Sequence, residues 1–107
     1  MRCKQVMSVS DYAGYVQRNL PQSAILMQLA EECAEAAQAA LKLARIQQGV
    51  NPTPAKADET MALLTEELAD IAVCADCIMD IDFCAIDRIH DKKIARWVAR
   101  LAKANRK

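Results

Sequence analysis

Two apolar stripes at helical spacing run through the middle of this chain, and each is broken by a carboxylate. The first holds Ile25, Leu26, Leu29, Cys33, Ala36, Ala37, Ala40, Leu41 and Ala44. That 3.6-residue rhythm predicts one long amphipathic helix. Glu32 follows Leu29 by three positions and Ile25 by seven, so it intrudes on the same stripe. The second stripe holds Met61, Leu64, Leu68, Ile71, Ala72, Ala75, Ile78 and Met79, and Glu67 intrudes between Leu64 and Ile71. Each intruder has a second acid one turn further on, Glu35 and Asp70. Residues three apart share a helix face. Carboxylates turned toward a core cannot stay charged and unpartnered, so a cation is expected among them.

Composition points to an all-α fold. Ala, Leu, Glu, Lys, Gln and Met dominate, aromatics are 4%, and Val, Thr, Tyr and Phe are sparse. Those are good helix formers, with few of the residues a sheet prefers. At 107 residues, with 53% hydrophobic and 26% charged, residues 1–107 read as a single globular domain. A helical chain this short buries a limited core, so a bundle completed by oligomerisation, as a dimer or tetramer, is expected.

The formal net charge is zero, which gives no electrostatic case for wrapping a nucleic-acid duplex. Residues 90–107 are locally basic and suit a small anionic ligand. No apolar run reaches the roughly 20 residues that span a bilayer. The N-terminus lacks a signal peptide's apolar segment, so a cytoplasmic location and no membrane partner are expected.

Start and stop signals divide the chain into about four helices. Ser8 or Ser10 caps a short helix with Tyr12, Tyr15 and Val16 on its apolar face. Asn19 caps the next, with Pro21 in its first turn. Gly49 stops that helix near Gln48, and Pro52 and Pro54 enforce the break. Residues 49–58 form the clear loop, joining an antiparallel core pair. Asp58 or Thr60 caps the third helix, and Asp80-Ile81-Asp82 marks a kink or tight turn. The fourth helix turns Ile86, Ile89, Ile94, Trp97, Val98 and Leu101 inward, and the tail from Lys103 frays. Met61 and Met79 serve packing, and His90 lies at the surface.

Five cysteines (Cys3, Cys33, Cys74, Cys77 and Cys84) make an odd set without a disulfide framework. Cys74 and Cys77 have CxxC spacing, but there is no second such pair and His90 is the single histidine. A structural zinc site would be incomplete, and small core thiols are expected instead. Antiparallel packing across the 49–58 loop would bring Glu32 and Glu35 opposite Glu67 and Asp70, between helices, where bundles build metal sites. An all-oxygen set favours Mg²⁺ or Mn²⁺ over zinc.

The arrangement Glu31-Glu32-x-x-Glu35, then Glu67-x-x-Asp70, resembles the EExxE…ExxD signature of the MazG-like all-α nucleoside triphosphate pyrophosphohydrolases. The segments Leu29–Ala36 and Glu66–Ala72 resemble that family's two metal helices, and the likeness covers roughly residues 20–100. The resemblance implies Mg²⁺-dependent cleavage of a nucleoside or deoxynucleoside triphosphate to the monophosphate and pyrophosphate, in nucleotide-pool housekeeping. It implies Glu32, Glu35, Glu67 and Asp70 as metal ligands, with Glu31 or Glu35 as the general base. It also implies phosphate contacts from the last helix, for which Lys92, Lys93 and Arg96 are the candidates. Two other functions fit the same residues. One is a non-catalytic helical oligomerisation module, in which Lys42, Arg45 and Arg88 pair the Glu carboxylates across helices. The other is a nucleotide-binding module without turnover.

Overall fold

The computed structural model describes residues 9–49 and 56–106. They form four helices and no strand: α1 (Val9–Asn19), α2 (Gln22–Gln48), α3 (Ala57–Cys77) and α4 (Phe83–Asn105). The all-α expectation is met. No helix among the described residues is long and apolar enough to cross a membrane.

The helix ends show which local signals won. Gly49 closes α2 in the left-handed region at φ 66°, donating its N–H to the Arg45 carbonyl. Only a residue without Cβ takes that conformation at no cost, so the stop is where glycine places it. The expected cap at Asn19 is not made. Asn19 ends α1 and donates its Nδ2 back to the Tyr15 carbonyl at 2.8 Å, while extended Pro21 precedes α2. Ser10 lies inside α1, and Ser8 lies outside the described residues. The expected caps of α3 also fail, because Lys56 occupies the cap position. Asp58 accepts only from the neighbouring Glu59 N–H. Thr60, 3% exposed, donates its hydroxyl to the Lys56 carbonyl at 2.9 Å.

The Asp80–Asp82 step is a sharp break between α3 and α4. Asp80 takes φ 65°, which aspartate tolerates better than most residues. Asp82 then caps α4 by accepting the Ala85 N–H at 3.0 Å.

α2 and α3 pack along their lengths, and α1 packs on α3. The pair is antiparallel, because Gln22 at the start of α2 accepts the Met79 N–H just beyond the end of α3. α1 is tied to the same end by Gln17, whose Nε2 donates to the Cys77 carbonyl at 3.1 Å. Ala13, Ile25 and Cys77 form a small core there, with Val16 and Ile78 against it.

The buried row on α2 is Ile25, Ala36, Ala39 and Leu43, rotated from the expected stripe. Leu26, Cys33, Ala37, Ala40 and Leu41 are exposed. On a helix this rich in alanine the apolar arc is wide, and a single partner helix covers only one row of it. On α3 the inward row is Thr60, Leu64, Ile71, Cys74 and Cys77, leaving Met61 and Leu68 exposed, and the helix stops before Ile78 and Met79, which the stripe had included. On α1 small Ala13 faces inward, while Tyr12 and Tyr15 face out.

α4 departs most from expectation. It makes no extensive contact with another helix, and none of its residues is buried. Ile86, Ile89, Ile94, Trp97, Val98 and Leu101 are all exposed, Trp97 by 62%. The tail does not fray at Lys103 but stays helical to Asn105.

Candidate metal centre

Glu32 sits on the α2 row that runs from Ile25 and Leu29 to Ala36, and Glu67 sits on the α3 row between Leu64 and Ile71. Because α2 and α3 are antiparallel, these rows face one another and bring the two carboxylates together. Glu35 joins them from the next turn of α2. One carboxylate oxygen from each of Glu32, Glu35 and Glu67 lies within 4.8 Å of the others. Asp70 stands outside that group of three but close to Glu32, one turn along α3 from Glu67.

The electrostatics of the cluster are unbalanced. Glu32 and Glu67 are half-buried, and Glu32 Oε2 and Glu67 Oε2 are both sealed from solvent with no hydrogen-bond partner among the described residues. An ionised oxygen without a donor is costly inside a protein. The one donor at hand is Gln28, whose Nε2 bonds the other oxygen of Glu32 at 2.8 Å. Desolvation first, and then the facing carboxyls of Glu32 and Glu35, push the Glu67 carboxyl from its ordinary 4.5 up to about 7. Asp70 is pushed up by desolvation and then by Glu32. Carboxyls this close must share protons or a cation.

The other acids and cations divide differently from the sequence expectation. Glu31 is exposed and is not one of the three clustered carboxylates. Lys92, Lys93 and Arg96 are exposed on α4 and line no part of the groove beside the cluster. Cys74 and Cys77 are buried free thiols, whereas Cys33 and Cys84 are exposed, and Cys3 lies outside the described residues. Burial, and then the nearby Glu32 charge, push the Cys74 thiol up, and burial does the same to Cys77. Both therefore stay protonated near neutrality, which suits packing rather than metal or redox chemistry. His90 is at the surface with Nδ1 3.1 Å from Asp91.

A groove of about 630 Å³ between α2 and α3 opens at the cluster. Glu35, Gln38, Lys42 and Arg45 of α2 and Leu63 and Glu67 of α3 are among the residues that line it. The alternative reading as an oligomerisation module made Lys42, Arg45 and Arg88 ion-pair partners of the glutamates. No such pair forms among the described residues, and Lys42 and Arg45 instead line the groove. Their spacing was a usable signal: Lys42 follows Glu35 by seven residues, which is two helical turns on one face. Gln28, four residues before Glu32, was missed for the same reason. Comparison of the chain with family models, with curated proteins and with solved structures gives no match.

Proposed function

We propose that this chain is a MazG-like all-α pyrophosphohydrolase that cleaves a nucleoside triphosphate to the monophosphate and pyrophosphate with Mg²⁺ or Mn²⁺. The observation that carries the proposal is the convergence of the Glu32, Glu35 and Glu67 carboxylates, two of which each hold a sealed, partnerless oxygen, Glu32 Oε2 and Glu67 Oε2. The donor set fits a hard divalent cation. It is all oxygen, and ligand oxygens around Mg²⁺ lie about 3–4 Å apart, so groups already within 4.8 Å need only small side-chain adjustments. Ion pairing between helices does not account for the cluster, because no basic side chain among the described residues pairs with it.

Glu32, Glu35 and Glu67 would hold the cation, and Asp70 would complete the set or orient Glu32 from its side. When bound, such a cation neutralises triphosphate charge, polarises phosphoryl oxygens and acidifies a coordinated water. Gln28 fixes the Glu32 carboxylate by its hydrogen bond, which preserves ligand geometry. Glu35, the exposed member of the cluster, is best placed to take the proton from an attacking water, ahead of Glu31. The water oxygen joins the α-phosphorus and the bridging oxygen leaves with pyrophosphate.

The test is pyrophosphate release from a panel of ribo- and deoxynucleoside triphosphates, with and without Mg²⁺. Release should require the metal. Glu67→Gln, nearly isosteric and uncharged, should lower it by more than about 100-fold, since even an outer-shell partner is worth about 10–100-fold. Unchanged turnover in this variant would mean that the site lies elsewhere.

A further inference from the structure

The groove beside the carboxylate cluster has two chemistries within one wall. Glu35 and Glu67 supply negative charge, and Lys42 and Arg45 supply positive charge. All the charged residues come from the two most tightly packed helices, α2 and α3. Lys42 and Arg45 have no carboxylate partner among the described residues: Glu35 is seven and ten residues before them on the same helix, beyond the one-turn spacing of helical ion pairs. Lys42 is half-buried and lines the groove, as suits a long side chain that packs its stem and keeps its charged end in water. Arg45 is exposed one turn further on, and its guanidinium fork matches a phosphate's oxygens. Gln38 lies between the acidic and basic residues in sequence and adds a neutral donor.

We infer that Lys42 and Arg45 form the phosphate-chain subsite, so that the groove takes a linear polyphosphate with one end at the carboxylates and the other at these cations. The assignment rests on the metal-dependent reading of Glu32, Glu35 and Glu67. It gives the polyphosphate contacts to α2 rather than to Lys92, Lys93 and Arg96 of α4, which line no part of the groove. A volume of about 630 Å³ holds a phosphate chain with room for part of a nucleoside.

Inorganic tripolyphosphate is the probe, because it has the chain without base or sugar. Calorimetric titration with tripolyphosphate in excess Mg²⁺ is compared for the unaltered chain, for Lys42→Gln/Arg45→Gln, and for Lys92→Gln/Lys93→Gln/Arg96→Gln. Circular dichroism verifies helicity in each. The α2 variant should bind at least tenfold more weakly per side chain removed, since hydrogen bonds to charged groups are worth about 1.5–3 kcal/mol. The exchange Lys42→Arg/Arg45→Lys should restore part of the loss. Equal binding by the α2 variant, or loss confined to the α4 variant, would overturn the subsite and leave the carboxylate reading standing. If the unaltered chain does not bind tripolyphosphate, and Mg²⁺ neither raises its thermal stability nor supports turnover, both readings fall together.

Discussion

Glu67 sets how the metal-free protein responds to pH. In the folded chain its carboxyl keeps a proton up to about pH 7, whereas its ordinary value is 4.5. Between those values the folded state binds more protons than the unfolded state, so stability falls as pH rises. Asp70, shifted in the same direction, adds to this slope. In chelator, the melting temperature should therefore decline from pH 5 to pH 8. A divalent cation takes the proton's place, so stabilisation by Mg²⁺ should grow over the same interval. Glu67→Gln has no proton to lose and should flatten much of the decline. Thermal melts at three pH values, with chelator and with Mg²⁺, test this, and a flat profile for the unaltered chain would refute it. At this scale the sequence was most legible, because a carboxylate inside an apolar helical stripe is visible in one dimension. The role of Lys42 was not, since the chain order puts it on the face of Glu35 but does not show the groove between α2 and α3 that it lines.

Elements were legible where one residue decides the backbone and illegible where packing decides. Gly49 ends α2 because φ 66° favours glycine, and no tertiary partner is needed to read that. The caps at Asn19, Asp58 and Thr60 were misread because several polar residues stood near each helix start. Thr60 illustrates the competition, since tertiary burial makes it an inward residue bonded back to Lys56. The stripe on α2 was misphased for a related reason. Alanine on several faces leaves the sequence neutral about which row is covered, and Leu43 rather than Leu41 is buried. Asp82 is the testable case among the helix ends. It is the side-chain cap that α4 possesses, accepting the Ala85 N–H. Asp82→Ala should cost about 1 kcal/mol of stability, the usual value of such a cap, and Asp82→Asn should retain most of it. Denaturant midpoints measure both, and equal loss in the two variants would show that the hydrogen bond is not what stabilises this turn.

At the scale of the whole molecule the fold is open. Its radius of gyration is 17.7 Å, against about 13 Å for a compact chain of this length. Its accessible surface is 8725 Å², where a compact protein of 11.8 kDa exposes about 5,900 Å². The excess is several times the roughly 800 Å² that each partner buries in a standard interface. On α4, Ile86, Ile89, Ile94, Trp97, Val98 and Leu101 repeat at helical spacing and are all exposed, and no residue of the helix is buried. An isolated helix of this length gains little from propensity alone, so its stability must come from an apolar partner. The sequence reading of these six as inward-facing took the periodicity correctly but not the burial, because a helical stripe does not encode what covers it. We propose that a second copy covers it, giving a dimer or tetramer through α4. Light scattering coupled to gel filtration should give an assembly mass of at least twice 11.8 kDa. Trp97→Glu/Leu101→Glu, which places two charges on the stripe, should shift the mass to one copy, lower the melting temperature and remove its dependence on protein concentration. A monomeric unaltered chain, with tryptophan emission at the wavelength of exposed indole, would instead show that α4 stands uncovered in solution.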